Sequence, residues 1–235
     1  MKWFLAILNS ICLALIILLT AVQLPTFCKP FYEFEYGKYN IPVQLNMTDD
    51  DLMKVTDHML RYMSGKEYDL SISAVVNGRT RDFFNDREKE HMADVRTLFL
   101  DGFTLRNIAI AFWFVTLLLM IALKCRPVRT LSLVYQIFLG CFMVLAGLTA
   151  FLISRDFNAA FTVFHHIFFN NNLWILDPST DLLVNIVPEG FFVDIALIIG
   201  ILFASFCLLV MLASAIVRMI IGPRKPVTAS RELEG

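Results

Sequence analysis

The sequence IALIIGILFASFCLLVMLASAIV, residues 195–217, contains no Asp, Glu, Lys, Arg or His. A helix needs about 20 apolar residues to cross roughly 30 Å of hydrocarbon, so this stretch predicts a membrane-spanning helix. Three other stretches share this property, at residues 3–24, 107–123 and 131–154. The hydrophobic fraction of 57% and the mean hydropathy of +0.65 also indicate a membrane protein.

These stretches predict an all-α membrane protein with four transmembrane helices and a small mixed α/β extracytoplasmic cap. We expect transmembrane helices at residues 1–24, 106–123, 131–154 and 194–217. The other segments are an extracytoplasmic cap loop (25–105), a cytoplasmic loop (124–130), a second extracytoplasmic loop (155–193) and a cytoplasmic tail (218–235). The first helix is interpreted as a retained span and not as a cleaved signal peptide, because its apolar run is long and no small-x-small cleavage site follows.

Basic residues predict the orientation of the chain in the membrane. Lys2, the loop 124–130 and the tail 218–235 together hold eight Lys and Arg residues, against only Glu232 and Glu234. Because short cytoplasmic loops carry an excess of Lys and Arg, both termini are expected in the cytoplasm and both long loops outside. The formal net charge of −1 gives no reason to expect a nucleic-acid partner.

Local signals give the cap its predicted helices and hairpin. Thr48 is the predicted N-cap of an amphipathic helix, since acidic residues fill the first turn and apolar residues then recur at helical spacing. An alternating strand over 70–76 leads into Asn77-Gly78, which is typical of a hairpin turn, and a returning strand is expected over 79–84.

The first candidate catalytic residue is His91. Asn85 and Glu88 predict a capping box at the start of its helix, and helical spacing directs His91 inward or toward the bilayer. Glu88 and Asp94 flank His91, so it could act as a general base oriented by a carboxylate. The spacing alone favours the alternative, a solvated helix whose charges form ion pairs three positions apart.

A second candidate, His165, lies among phenylalanines. It is interpreted either as a second acid or base in an apolar wall or as a buried histidine with a satisfied hydrogen bond, and the residues do not separate the two. The adjacent His166 is the alternative second histidine. The aromatic residues around them fit an interfacial belt and would equally suit a pocket for acyl chains. These residues are Phe161, Phe164, Phe168, Phe169, Trp174, Phe191 and Phe192.

Several function classes are disfavoured by what the sequence lacks. The histidines do not have the spacing of a zinc motif, and the sequence contains neither a Gly-x-Ser-x-Gly elbow nor a phosphate-binding glycine loop. The sequence therefore predicts no metal and no cofactor. A pump or proton-coupled transporter is also disfavoured, because the four apolar stretches carry no carboxylate or basic group that could move charge.

The chain resembles the bacterial lipoprotein intramolecular transacylase family at its histidine motifs and beyond. The resemblance extends over essentially the whole chain and includes the four-span layout. It rests on the motifs Arg87-Glu88-x-Glu90-His91-Met92-x-Asp94-Val95, Phe164-His165-x-Ile167-Phe168-Phe169, Trp174-x-x-Asp177-Pro178-x-x-Asp181-Leu182-Leu183 and Pro188-Glu189-Gly190-Phe191-Phe192.

The resemblance implies an enzyme of the bacterial cell membrane whose partners are a diacylglyceryl lipoprotein substrate and membrane lipid. In such an enzyme the acyl chain moves from the sn-2 oxygen of the glyceryl group to the α-amine of the N-terminal cysteine, giving the lyso-form lipoprotein. The matching catalytic residues are His91 and His165. We expect substrate binding by Arg87, Phe164, Phe168, Phe169, Trp174 and Asn171, and support from Glu88, Asp94, Asp177 and Glu189.

Elementary chemistry agrees with two histidines as general acid and base. A cysteine α-amine with a pKa of about 8 is mostly protonated at neutral pH, and an imidazole can remove a proton as the amine attacks. His91 is predicted as the base and His165 as the acid or carbonyl polariser, with the reverse assignment left open, and no acyl-enzyme is needed. Two other hypotheses are a non-catalytic membrane receptor or chaperone that binds lipid or protein through its outer cap, and a membrane metalloprotein.

Overall fold

The computed structural model describes residues 1–221 and confirms the predicted fold class, a helical membrane protein with a small mixed cap. The predicted cytoplasmic tail lies outside the described residues from residue 222 onward. Within residues 1–221, four helices are long and apolar enough to cross a membrane. The elements in chain order are α1 Lys2–Thr26, α2 Lys29–Lys38, α3 Ile41–Leu45, α4 Asp49–Met63, β1 Ser73–Val76, β2 Arg79–Asp82, α5 Asp86–Ala122, α6 Pro127–Arg155, α7 Phe157–Phe168, α8 Leu183–Ile186 and α9 Glu189–Ile221.

The four long helices α1, α5, α6 and α9 form a bundle in which α1 contacts the other three. Small buried residues on α1, namely Ala6, Ala14 and Ala21, allow the neighbouring backbones to approach closely. Helix α5 has 37 residues and begins at Asp86, so the apolar stretch 107–123 belongs to a helix that starts in the cap. One continuous helix therefore connects the cap to the far side of the bundle.

A buried hydrogen-bond network joins three helices within the bundle. Asn9 of α1 donates through Nδ2 to the Trp113 carbonyl oxygen (2.8 Å) and to Thr116 Oγ1 (2.7 Å) of α5. Tyr135 of α6 donates its hydroxyl hydrogen to Asn9 Oδ1 and accepts from Trp113 Nε1 (3.1 Å). Asn9 is fully buried. These bonds satisfy its amide group, to which lipid chains could offer no hydrogen bond.

The cap comprises α2, α3, α4, the β1–β2 hairpin, α7 and α8. Its core includes Tyr32, Tyr36, Leu52, Met59, Phe83, Phe84, Leu183, Ile186 and Phe191. Thr48 caps α4 by accepting a hydrogen bond from Asp51 N (3.1 Å), and Asn77 and Gly78 have φ values of 52° and 74°, as a tight hairpin turn requires. All four residues of β2 are exposed, which explains why that strand shows no alternation in sequence.

The start of α9 is held by a close contact with the end of α2. Tyr39 donates its hydroxyl hydrogen to Asp194 Oδ2 (2.7 Å), which brings its ring over Gly190. A Cβ atom added at Gly190 would lie 2.6 Å from Tyr39 Cζ, so only glycine allows this approach. The same turn of α9 packs Phe192 against Phe161 of α7, with ring centroids 5.4 Å apart.

Replacing Asn9 by alanine should lower the free energy of unfolding by about 1 kcal/mol, because hydrogen bonds between membrane helices contribute on that order. Unfolding in mixed micelles with increasing SDS measures this change. Thr149→Ala is the matched control, since Thr149 is exposed on α6 and bonds only to Leu145 of its own helix (3.0 Å). Equal stability of the two variants would show that the network makes no net contribution.

Candidate active site

The start of α5 is joined to the segment around α8 through a buried carboxylate. Asn85 and Glu88 form the predicted capping box, in which Glu88 N donates to Asn85 Oδ1 (3.0 Å) and Asn85 N donates to Glu88 Oε2 (2.7 Å). The other oxygen, Glu88 Oε1, accepts from Leu183 N (2.5 Å), and Asn85 Nδ2 donates to Asp181 Oδ1 (2.8 Å). This group of four residues, the Glu88 bridge, fixes the segment 181–183 beside the first turn of α5.

His91 lies one turn after Glu88 on α5 and is 7% exposed. It precedes the apolar stretch 107–123 by about 24 Å of helix, so it belongs to the cap and not to the span. Its Nδ1 atom is buried and has no hydrogen-bond partner within residues 1–221. Burial, with a smaller effect of nearby His165, lowers the pKa of His91 to about 4, and Asp94 opposes the shift only in part. The ring is therefore neutral at neutral pH.

His165 lies in the last turn of α7 and is also buried. Its Nδ1 atom lies 2.7 Å from the Phe161 carbonyl oxygen. Because a carbonyl oxygen can only accept, Nδ1 carries the hydrogen, and Nε2 of the neutral ring has a free lone pair. Burial lowers the pKa of His165; the bond to the Phe161 carbonyl opposes this shift, and His166 adds to it.

The structure brings His91 and His165 together, and we refer to them as the histidine pair. Their ring centroids are 6.1 Å apart and the ring planes are inclined by 34°. Phe169 contacts both rings, at 5.5 Å from His91 and 5.6 Å from His165. His166 is exposed and meets only the edge of Trp174, at 5.5 Å. The alternative second histidine therefore lies outside the pair.

Two contacts from α5 hold the loop that carries Trp174. Arg87 Nη2 donates to the Asn172 carbonyl oxygen (2.6 Å), and Asn171 Nδ2 donates to Asp94 Oδ2 (2.8 Å). Trp174 donates through Nε1 to the Asn171 carbonyl oxygen (3.1 Å). Its ring stacks on the His165 ring, with 4.6 Å between the centroids. Three of the expected site residues, Arg87, Asp94 and Asn171, thus hold the loop that places Trp174 against His165.

An exposed aromatic surface borders the histidine pair. Phe164 contacts His165 edge-on at 5.4 Å, and Phe168 packs on Phe164 at 4.8 Å. Phe164 and Phe168 are 44% and 50% exposed, whereas Phe169 is buried beside the two histidines. The two exposed rings form an apolar surface that suits a lipid chain, and the buried ring packs against both imidazoles.

Two expected supporting residues lie in the frame around the site. Asp177 Oδ1 accepts from Ser179 N (2.8 Å) and Ser179 Oγ (2.7 Å) and so shapes a turn. Glu189 lies at the start of α9, where its Oε1 accepts from Asn158 Nδ2 (3.4 Å) of α7. In the described part of the chain neither carboxylate is hydrogen-bonded to a histidine.

From sequence, Phe161 was expected only among the aromatic residues of the belt or pocket, and Asp181 was not expected as a site residue. Phe161 precedes His165 by one helical turn, supplies the carbonyl that fixes its tautomer, and packs on it with centroids 4.1 Å apart. Asp181 is 4% exposed and belongs to the Glu88 bridge. A signal for Phe161 existed, since residues four apart share one helix face. The signal for Asp181 was its place in the motif that begins at Trp174.

Within residues 1–221 the histidine pair is not joined by a third protein ligand that would complete a metal site. A catalytic zinc ion uses three protein ligands, and no group of three or more His, Cys, Asp or Glu side chains comes together within residues 1–221. The pair instead brings two buried imidazoles close together, which suits general acid–base chemistry.

Fold and site together define a polytopic membrane protein whose cap holds a buried histidine pair. The family model for the lipoprotein intramolecular transacylase Lit matches residues 7–192, and the chain belongs to this family. The resemblance seen in the sequence and the prediction of an acyltransferase are thereby confirmed.

Solved structures share this fold. The membrane-integral lipoprotein intramolecular transacylase Lit from Bacillus cereus gives a TM-score of 0.75 at 20% identity, covering 94% of this chain and 97% of that one. Two further structures of that protein carry a histidine substituted by arginine (TM-score 0.70, 21% identity, 94% and 93% covered) or by alanine (0.71, 21%, 94% and 95%). No curated protein matches this chain significantly in sequence.

We expect His91 to stay neutral far below the pH at which a solvated histidine titrates. NMR of ¹⁵N-histidine-labelled protein should give a His91 midpoint at about pH 4, because burial disfavours the charged ring. His165→Ala should raise this midpoint, since it removes a like charge and admits water. A wild-type midpoint of about 6.5, the value of an unperturbed histidine, would contradict the buried arrangement.

Proposed function

We propose that this protein transfers the sn-2 acyl chain of a diacylglyceryl lipoprotein to the α-amine of the lipoprotein's own N-terminal cysteine. The product is the lyso-form, which carries an N-acyl group and an S-monoacylglyceryl group. The acyl chain passes directly from oxygen to nitrogen, with His91 and His165 as the acid–base pair. The observation that carries the proposal is the convergence of two buried imidazoles, 6.1 Å apart, in a member of the transacylase family.

The reaction requires one proton to move and one oxyanion to be stabilised. The neutral amine attacks the ester carbonyl carbon, a C–N bond forms, and the bond from that carbon to the sn-2 oxygen breaks. The proton that the amine loses is the proton that the leaving glyceryl oxygen needs, so one imidazole can accept it and then deliver it. General acid–base assistance of this kind accelerates a reaction by roughly 10²–10⁴-fold.

The hydrogen bonds favour His165 as the proton carrier, which is the reverse of the assignment expected from the sequence. The bond from its Nδ1 to the Phe161 carbonyl (2.7 Å) leaves Nε2 as the free acceptor and stabilises the imidazolium that forms. His91, with a pKa of about 4, is a weak base. As a neutral imidazole it can donate an N–H to the carbonyl oxygen while negative charge develops there.

The aromatic surroundings favour a folded-back substrate. Donor ester and acceptor amine belong to one flexible molecule, so the enzyme must hold them together to react. Phe164 and Phe168 offer an exposed surface for an acyl chain, and Trp174 and Phe169 enclose the reacting end at the two rings. Positioning of this kind can lower the barrier by as much as about 7–11 kcal/mol.

We infer that the histidine pair faces the extracytoplasmic side of the bacterial cell membrane, with both termini in the cytoplasm. The cap lies at one end of the bundle, whereas the connection from α5 to α6, with Lys124, Arg126 and Arg129, lies at the other end. The basic connection favours the cytoplasmic side for that end. A lipoprotein anchored in the outer leaflet would then meet the histidine pair at the membrane surface.

Substitution of either member of the histidine pair should stop production of the lyso-form. His91→Ala and His165→Ala are each expected to lower the initial rate by about 10²-fold or more, because each removes an acid–base or polarising group. Mass spectrometry of the N-terminal peptide of a lipoprotein measures this rate. His166→Ala is the matched control and should change the rate little, since His166 lies outside the pair.

Two outcomes of this comparison would contradict the proposal. Wild-type rates in both His91→Ala and His165→Ala would favour a non-catalytic receptor or chaperone. Loss of activity in His166→Ala, with His165→Ala active, would transfer the acid–base role to the exposed histidine.

The pH dependence of the transfer should be set by the substrate amine. The rate should rise with pH and level off at about pH 8, where an α-amine loses its proton. Since burial lowers the pKa of both histidines, any bend from either ring should lie below pH 6.5. Initial rates between pH 5 and 9 test this. A second bend near pH 6.5 would show a histidine that titrates as if solvated.

A further inference from the structure

We propose that a cleft on the flank of the cap, separate from the histidine pair, binds the phosphate group of an anionic phospholipid. The cleft has a volume of about 480 Å³ and lies between the end of α1, the end of α4 and α5. Its polar lining includes Lys29, Arg61, Ser64 and Lys66. We refer to it as the lipid cleft. This inference does not depend on the proposed transfer reaction, because binding is measured without turnover.

The charges of the lipid cleft are mostly positive, and two of the cations are held in place. Lys29 forms an ion pair with Asp57, and Arg61 forms an ion pair with Glu67, with an Nη2–Oε1 distance of 2.7 Å. Lys66 has no ion-pair partner in the described part of the chain. Three cations and one carboxylate, Asp57, thus line the cleft, and the unpaired ammonium of Lys66 is free to bind a phosphate oxygen.

The lipid cleft lies at the level of the lipid headgroups. The charge-free stretch of α1 ends at residue 24, and Phe27 follows it and lines the cleft. Phe103 of α5 contacts Phe27 with centroids 5.6 Å apart and lies about one helical turn before the apolar stretch 107–123. The end of α4 rests on the same part of α5, where a Cβ atom added at Gly65 would lie 3.1 Å from Leu100 Cδ2. The cleft therefore has its cations on the side of the cap and its aromatic rings on the side of the membrane.

A further cation lies next to the aromatic side of the cleft. Arg106 Cζ is 5.8 Å from the centroid of the Phe103 ring, and Arg106 Nε is buried without a hydrogen-bond partner within residues 1–221. Nearby on α5, Gly102 faces Leu19, which belongs to the apolar stretch of α1. Arg106 thus lies at the border between the cap and the apolar stretch 107–123, where a cation without a nearby anion is costly.

The lipid cleft differs from the histidine pair in position and in chemistry. Phe103 lies on a different face of α5 from His91, about 120° away around the helix axis. The proposed transacylase substrate joins its glyceryl group to cysteine through sulfur and has no phosphate there. Clustered cations fit the phosphate of a bulk membrane lipid, and each cation near a membrane surface strengthens such binding roughly fivefold.

Native mass spectrometry of the full-length protein in nonionic detergent tests the lipid cleft. Short-chain phosphatidylglycerol should form a saturable 1:1 complex. Arg61→Gln and Lys66→Gln should each weaken it about fivefold, and the double variant about 25-fold. Lys54→Gln is the matched control, because Lys54 is exposed on the same helix but does not line the cleft; its affinity should equal that of the wild type.

Three results would overturn the proposal. Wild-type affinity in Lys66→Gln and in the double variant would remove the cleft as the binding site. Equal affinity for phosphatidylethanolamine would show that the protein does not select an anionic lipid. Displacement of the lipid by millimolar inorganic phosphate would identify a phosphate site and not a lipid site.

Lys66 is exposed and unpaired, so its variant is expected to fold. Arg61→Lys keeps the charge and should retain binding.

Discussion

The buried carboxylate of Glu88 is the contact through which the two halves of the site are joined. A buried carboxylate costs several kcal/mol unless hydrogen bonds compensate, and here both oxygens accept backbone N–H groups, from Asn85 and from Leu183. Burial raises the pKa of Glu88, and these two donors oppose the shift. One turn later on the same helix lies His91. Its position relative to the rest of the cap therefore depends on a bond that spans distant parts of the chain.

The second half of the site depends on packing and not on charge. His165 is fixed by one bond to the Phe161 carbonyl and by the stacked ring of Trp174. The aromatic enclosure has two effects: it orients the ring, and it excludes water, which lowers the pKa of both imidazoles and favours their neutral form. A neutral pair is the form that can accept a proton from an amine and donate a hydrogen bond to a developing oxyanion. Structure and reactivity thus have the same physical origin, the exclusion of water from the cap.

Local features of the fold could be predicted from the sequence because they need only neighbouring residues. The charge-free stretches, the capping box of Asn85 and Glu88, the N-cap Thr48 and the turn Asn77-Gly78 are all of this kind. The chemistry of a turn or a cap is complete within a few residues, so no knowledge of tertiary packing is required.

Contacts between distant segments could not be predicted in this way. Helical spacing directed His91 inward, but it could not show that the rings of His165 and Phe169 lie against it. Asp177 and Asp181 lie in one turn, and nothing local indicates that Asp181 is the residue that reaches Asn85. The same holds for Gly190, where a side chain would collide with Tyr39, a residue far away in sequence. The family resemblance supplied His91 and His165 as partners before any of these contacts could be derived.

The most direct test of the account is an experimental structure of the protein with a substrate analogue in which the reactive sn-2 ester is replaced by an ether. The account predicts that the sn-2 oxygen and the cysteine nitrogen both lie between the rings of His91 and His165, within about 2.6–3.2 Å of a ring nitrogen. An analogue bound with its glyceryl group and amine away from the two rings, or touching only one of them, would contradict it.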